Sequence, residues 1–285
     1  MRFAGAAMPG GVLALLLVLS GCAADQRIAA NEAYGRQALA SGHAAEATRE
    51  YRAALARARA NGDGAAIATA GTDLAIAELA DNKPDQALAE ARALQAELGG
   101  RTPPPTLGLV VATALYRQGN LPAAEAAARE VAAGPDQAVA LRGRFLLGLI
   151  ADARHDTAGL LAASLVLAGH NDPLSVADVT ELKARLDLAR GEAASAQHWA
   201  LASARLRTRL EDARGLARCE GLAADAALAA GQRAQAARLY LRAGRDEAAV
   251  GDGARARVWL GQAKSLAADP AVSRAAAQAL AGLQA

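Results

Sequence analysis

Aromatic residues are scarce in this chain: two Phe, two Trp and four Tyr stand among 285 residues. Runs of β-branched and aromatic residues at period two, the signature of half-buried strands, are missing as well. A core of ordinary design is filled with large side chains, and this sequence has few aromatic ones to offer. What it has is alanine, which makes up much of its 53% hydrophobic content. Alanine is the best helix former and the smallest side chain that still packs. Helices faced with it approach closely and bury little area each, so a stable body needs many layers. The expectation is an all-α array of helix pairs, not a sandwich or barrel.

Charge of one sign is equally lacking. Lys and Arg number 31 against 29 Asp and Glu, a net charge of +2 with the two signs interspersed. Nucleic acid calls for a concentrated basic face, so no nucleic-acid partner is expected. The four histidines, His43, His155, His170 and His198, are spread along the chain, and no Cys or His spacing suits zinc. There is no nucleophile elbow, phosphate loop or dinucleotide fingerprint. Gly62-Asp63-Gly64 and Gly251-Asp252-Gly253 lack the further carboxylates of a calcium loop. No cofactor, metal or catalytic residue is expected. Only two cysteines occur, Cys22 and Cys219. Cys219 lies in the alanine-rich stretch 216–230 and reads as a small buried apolar residue.

The longest apolar stretch is also too short to span a bilayer, which takes ~20 residues. Arg2 precedes an apolar run, Val12–Leu19, and Leu19-Ser20-Gly21-Cys22 follows at once. That layout is a signal peptide. The last four residues resemble the lipobox of bacterial lipoproteins. The resemblance implies diacylglyceryl transfer to the Cys22 sulfur, cleavage before Cys22 and acylation of the new amino group. Residues 1–21 are then signal peptide and 22–27 a short acylated tether. Several acyl chains, each buried CH₂ worth ~0.8 kcal/mol, hold a protein stably to the lipid bilayer. Ala23 after the cysteine implies, by the same resemblance, an outer-membrane anchor facing the periplasm. The rival reading is an ordinary signal peptide with a chance cysteine.

The body repeats itself. Gly42, Asn82, Gly119, Gly191, Gly231 and Gly251 each open a turn. Five residues after them stand Ala47, Ala87, Ala124, Ala196, Ala236 and Ala256. Small or apolar residues follow each alanine four and seven places on, which puts them on one helical face. The alanine must be small because it meets the preceding helix at close range. Ala47 and Ala87 are 40 residues apart, Ala87 and Ala124 are 37, and Ala196 and Ala236 are 40. Ala236 and Ala256 are only 20 apart, which predicts a shared helix or a change of register there. Breakers at 61–64, 99–105, 134–136 and 171–173 fall between the expected helix pairs.

These units resemble the tetratricopeptide repeat, with its small residue in the first helix, Ala-x₃-aromatic in the second and period of ~34. The match is carried by Asp73–Ala77 leading to Pro84–Leu88, by Val111–Asn120, and by Tyr34-Gly35 with Ala47 and Tyr51. Leu147-Gly148 begins a further unit in which Leu160 stands where alanine is expected. The resemblance implies a superhelix over residues 28–268, with a capping helix in 269–285. It also implies a concave wall of first helices on which peptides or proteins of the cell envelope lie. On this alignment the wall carries Arg36, Ile76, Thr113, Tyr116, Phe145 and Arg185. Tyr, Phe and Arg are enriched at interface hot spots, although Ile76 and Phe145 read equally well as core. The function implied is a lipid-anchored periplasmic scaffold, not an enzyme. Two alternatives stay open: a small-ligand or glycan binder using the groove, and an envelope hydrolase on a helical scaffold.

Overall fold

A computed structural model describes the backbone of residues 11–267 and 269–283, with side chains from residue 26 onward. Arg2 lies outside the described residues, and acylation at Cys22 lies outside the described side chains. In chain order the helices are α1 (Gly11–Ala40), α2 (Ala44–Asn61), α3 (Gly64–Ala80), α4 (Pro84–Glu97), α5 (Pro105–Arg117), α6 (Leu121–Ala132) and α7 (Gln137–Ala153). They continue as α8 (Thr157–Leu167), α9 (Pro173–Ala189), α10 (Ala193–Arg209), α11 (Ala213–Ala229), α12 (Arg233–Ala249), α13 (Gly253–Leu266) and α14 (Pro270–Gly282). Among the described residues there is no strand, and no helix is long and apolar enough to cross a membrane. The backbone of 22–27, the expected tether, falls within the bounds of α1.

Local chemistry sets the boundaries. Side chains of Asp63, Asn120, Asp136, Asp156, Asp172, Asp212, Asp252 and Asp269 accept hydrogen bonds from first-turn amides. Each satisfies a donor that the helix itself leaves free. Pro84, Pro105, Pro173 and Pro270 stand at helix starts, where a missing N–H costs nothing. The residues that open the repeated turns are left-handed, from Gly42 at φ +77° to Asn82 at φ +56°. His155 takes the same conformation five residues before Leu160, so the unit that departs from the pattern keeps its turn with a different residue. Glu211 does so between α10 and α11.

Left-handed residues therefore fall at 191, 211, 231 and 251, once every 20 residues. The short interval between Ala236 and Ala256 corresponds to one helix plus its turn, and α12 and α13 are separate helices.

Each helix packs antiparallel on the next, and from α1 to α11 each odd-numbered helix also touches the following odd-numbered one. The odd helices thus form one continuous wall and the even helices back it. At the end the order changes, and α14 packs on both α12 and α13. The six recurring alanines are 0% exposed. Opposite such small residues sit large ones: a Cβ built on Gly35 would lie 2.8 Å from the Tyr51 ring, and one on Gly71 2.9 Å from Leu94. The alternation of small against large gives the stack its close spacing, and the core is a series of clusters along the array.

The wall curves far enough for distant repeats to meet. The Arg214 guanidinium, on α11, donates to the Ala80 carbonyl at the end of α3 at 2.9 Å, across 134 residues of sequence. It donates also to the Val250 carbonyl, at 2.9 Å.

Candidate binding face inside the superhelix

Asp178, Glu181 and Arg185 stand at i, i+3 and i+7 on α9 and share one face of that helix. Both carboxylates are buried, and arginines from three neighbouring helices close on them. Glu181 accepts from Arg218 Nε at 2.7 Å, from Arg185 at 2.9 Å and from Arg207 at 3.1 Å. Asp178 accepts from Arg207 at 2.5 Å and from Arg142. Asp152 binds Arg185 at 2.6 Å and Asp212 binds Arg207 at 2.9 Å. Four arginines thus meet four carboxylates, and charge cancels within the lattice. Burial alone would push the Glu181 carboxyl up, but Arg218, Arg185 and Arg207 outweigh it and hold it well below the usual carboxylate range. The Phe145 ring lies beneath Arg142, Arg207 and Arg218, whose guanidinium carbons are 4.9, 5.3 and 5.5 Å from its centroid.

Each of the four carboxylates accepts from at least one guanidinium group. The Cys219 thiol touches the lattice, 3.3 Å from Ser203 Oγ and 3.5 Å from Glu181 Oε2. Burial first, then the Glu181 charge, pushes this thiol up to about 12. It is a buried structural side chain, as its sequence context indicates. Among the described residues no group of three His, Cys, Asp or Glu is placed to hold a metal ion.

Beside the lattice the wall opens into a cavity of about 530 Å³. Its lining comes mostly from the odd helices, with Tyr116 and Arg117 of α5, Leu149 of α7, Arg214 and Arg218 of α11 and Arg255 of α13, while Pro84 and Leu121 add the first residues of α4 and α6. The α3–α4 turn adds Asn82. Four cations therefore face one acidic lining residue, Asp252, whose carboxylate also caps α13 through the Arg255 amide at 3.0 Å. Arg218 is neutralised by Glu181, and Arg255 lies 3.8 Å from Glu247. Arg117 and Arg214 have weaker partners. Arg117 donates to the Leu79 carbonyl at 2.5 Å, and Arg214 to the carbonyls of Ala80 and Val250. These belong to the C-terminal ends of α3 and α12, where the helix dipole is negative. Burial first, then the charges of Arg214, Arg218 and Arg255, pulls the Arg117 guanidinium down to about 10. Burial likewise lowers Arg214.

The six residues expected on the concave wall all lie on odd helices. Tyr116 lines the arginine-rich cavity. Arg185 is tied into the lattice through Asp152 and Glu181. Phe145 is 4% exposed and offers a partner almost no surface. Ile76 and Thr113 are partly buried, with Ile76 packed against a core cluster that includes Leu88 and Leu115. Arg36 is exposed beside Glu32 on α1. The structure does not gather these six into one site. Reading the sequence alone overlooked Arg117, Arg214 and Arg255 and the lattice around Glu181. The available signal was a set of charged residues at helical spacing inside otherwise apolar stripes of α9 and α11.

No protein-family model and no curated protein sequence matches the chain. Solved structures do resemble it. A tetratricopeptide repeat protein from Parabacteroides merdae aligns over 91% of this chain and 100% of its own, at 15% identity and a TM-score of 0.50. A signal-transduction ATPase with numerous domains and a tetratricopeptide repeat sensor, from Pyrococcus horikoshii, aligns over 84% of this chain and 41% of its own, at 13% identity and 0.48. The TPR2AB domain of yeast Sti1 in complex with pHSP90 aligns over 93% of this chain and 100% of its own, at 16% identity and 0.36. The first of these fixes the fold as an all-α solenoid of tetratricopeptide-like helix pairs.

Proposed function

We propose that the protein is a lipid-anchored scaffold facing the periplasm from the outer membrane, and that it binds protein or peptide partners of the cell envelope along the odd-helix wall. The observation that supports the binding role is the curvature of that wall, together with a cavity in it lined by Tyr116 and several arginines. Tyr and Arg give large contact area and directional hydrogen bonds, as interface anchors do. The anchor rests on Leu19-Ser20-Gly21-Cys22.

Two experiments test this reading. A photo-crosslinking residue at Tyr116, in cells, is expected to trap a discrete adduct that the same residue at exposed Arg57 does not. Equal trapping at both positions, or none at Tyr116, defeats the binding role. Metabolic labelling with a palmitate analogue is expected to mark the wild-type chain and not Cys22→Ala, which leaves the membrane fraction. An unlabelled wild-type chain in the soluble fraction defeats the anchor.

Small-ligand binding in the groove is the second reading. The cavity of about 530 Å³ favours it, since ligand pockets commonly span ~300–1,000 Å³.

A further inference from the structure

We infer that the cavity between α5, α11 and α13 is an anion site, which takes a carboxylate or phosphate group between guanidinium groups of non-adjacent repeats. It goes beyond the scaffold reading, and either can fail without the other.

Four arginines line this cavity against one carboxylate, already engaged as a helix cap. Elsewhere in the superhelix buried arginines are matched by carboxylates, as around Glu181. At the cavity Arg117 and Arg214 bond only to main-chain carbonyls. Those bonds hold the guanidinium groups in place, and although Glu247 and Asp252 act on Arg214 from a distance, neither carboxylate is hydrogen-bonded to it. A guanidinium presents planar paired donors that fit two oxygens of a carboxylate or phosphate. In a partly desolvated cavity such contacts gain more than at an exposed surface. Tyr116 adds a hydroxyl and Asn82 an amide to the same lining. Because Arg117 belongs to the third helix pair and Arg214 and Arg255 to the sixth and seventh, the bound anion would bridge parts of the solenoid that are far apart in sequence.

The test uses the whole mature chain in low-salt buffer, with calorimetric titration and thermal melting. The probes are pyrophosphate, citrate and a hexaglutamate peptide, each compared with sodium chloride at equal ionic strength. Saturable binding of at least one probe is expected, with a rise in melting temperature that the chloride control does not give. Arg117→Gln and Arg255→Gln are each expected to weaken it at least tenfold. Arg255 is half exposed, with a distant carboxylate and the Trp259 ring as its side-chain neighbours, so its variant keeps the test sound if Arg117→Gln folds poorly. Arg59→Gln, at the exposed Glu90 and Glu97 pairs, is expected to leave the affinity unchanged. Tight binding of pyrophosphate or citrate identifies a free small anion as the ligand. Binding of hexaglutamate alone identifies an acidic segment of a partner. No saturable binding of any probe, or binding unaltered in Arg255→Gln, overturns the assignment.

Discussion

The indole of Trp259 fills the space that a side chain on Gly221 would need: a Cβ built there would lie 2.2 Å from Cζ2 of the ring. The contact joins α11 to α13, with Arg255 over the other reach of the indole at 5.9 Å. It is the same pairing of small against large that Gly35 makes with Tyr51 near the start of the array. A rigid bicyclic ring cannot swing clear as a leucine terminus can. Gly221→Ala is therefore expected to destabilise the protein by about 1–3 kcal/mol, the cost of overpacking. Chemical denaturation checks it, and Gly261→Ala, where nothing lies within 4 Å of the added carbon, is the control.

Glu181 is the keystone of the charge lattice. Glu181→Gln keeps the shape but leaves the buried Arg207 and the half-buried Arg185 and Arg218 with one carboxylate fewer among them. Breaking such a buried set from one side costs about 3–5 kcal/mol. Arg59→Ala removes two exposed ion pairs and is expected to cost under about 1 kcal/mol. Equal losses in urea unfolding of the two variants would contradict this assignment.

Cys219 is fully buried with its thiol pushed up to about 12. The thiolate is the reactive form, so a thiol reagent at pH 8 should leave the native protein unmodified at this position. Modification should follow the unfolding curve as denaturant is raised, which mass spectrometry of the peptide carrying Cys219 would show. Rapid labelling in native buffer would refute it.

Glu220, on α11, is buried with Oε2 unpartnered and Oε1 bonded to Arg242. Burial outweighs the Arg242 charge and, with Asp246 nearby, pushes the carboxyl up to about 7. The folded state therefore holds its proton where the unfolded chain, with a pKa near the ordinary 4.5, has lost it. Stability from this group is complete below the unfolded pKa and is lost as pH rises toward 7. Glu220→Gln, which stays neutral, should track the wild type near pH 4 and grow relatively more stable up to pH 7. A melting-temperature difference that stays flat over this range would disprove the linkage.

Much of the architecture was legible in the sequence because the repeat is written in residues with strong local meaning. Gly42 and Asn82 mark left-handed turns, and Ala47 and Ala87 mark places where helices nest. Such features act within a few residues and survive translation into pattern. Less legible was the turn at His155, where a residue with a full side chain takes the conformation that glycine takes elsewhere in the array. The binding face was the least legible. Glu181 and Arg218 are 37 residues apart and Arg214 and Ala80 are 134 apart. Nothing in the local spacing says that they meet. Phe145 was read as both groove and core because a register one or two residues uncertain cannot tell them apart. The structure buries it beneath guanidinium groups.

A stack whose members touch only their neighbours melts piecemeal, since each layer answers to the one beside it. The Arg214 bond to Ala80 ties the third helix to the eleventh and turns a chain of springs into a loop under one constraint. Losing that clasp through Arg214→Ala should let the early and late layers unravel separately, so that a single calorimetric peak broadens or splits. Long-range cooperation between the early and late layers of this molecule would then depend on a contact made by one side chain, with the repeats supplying the material it fastens.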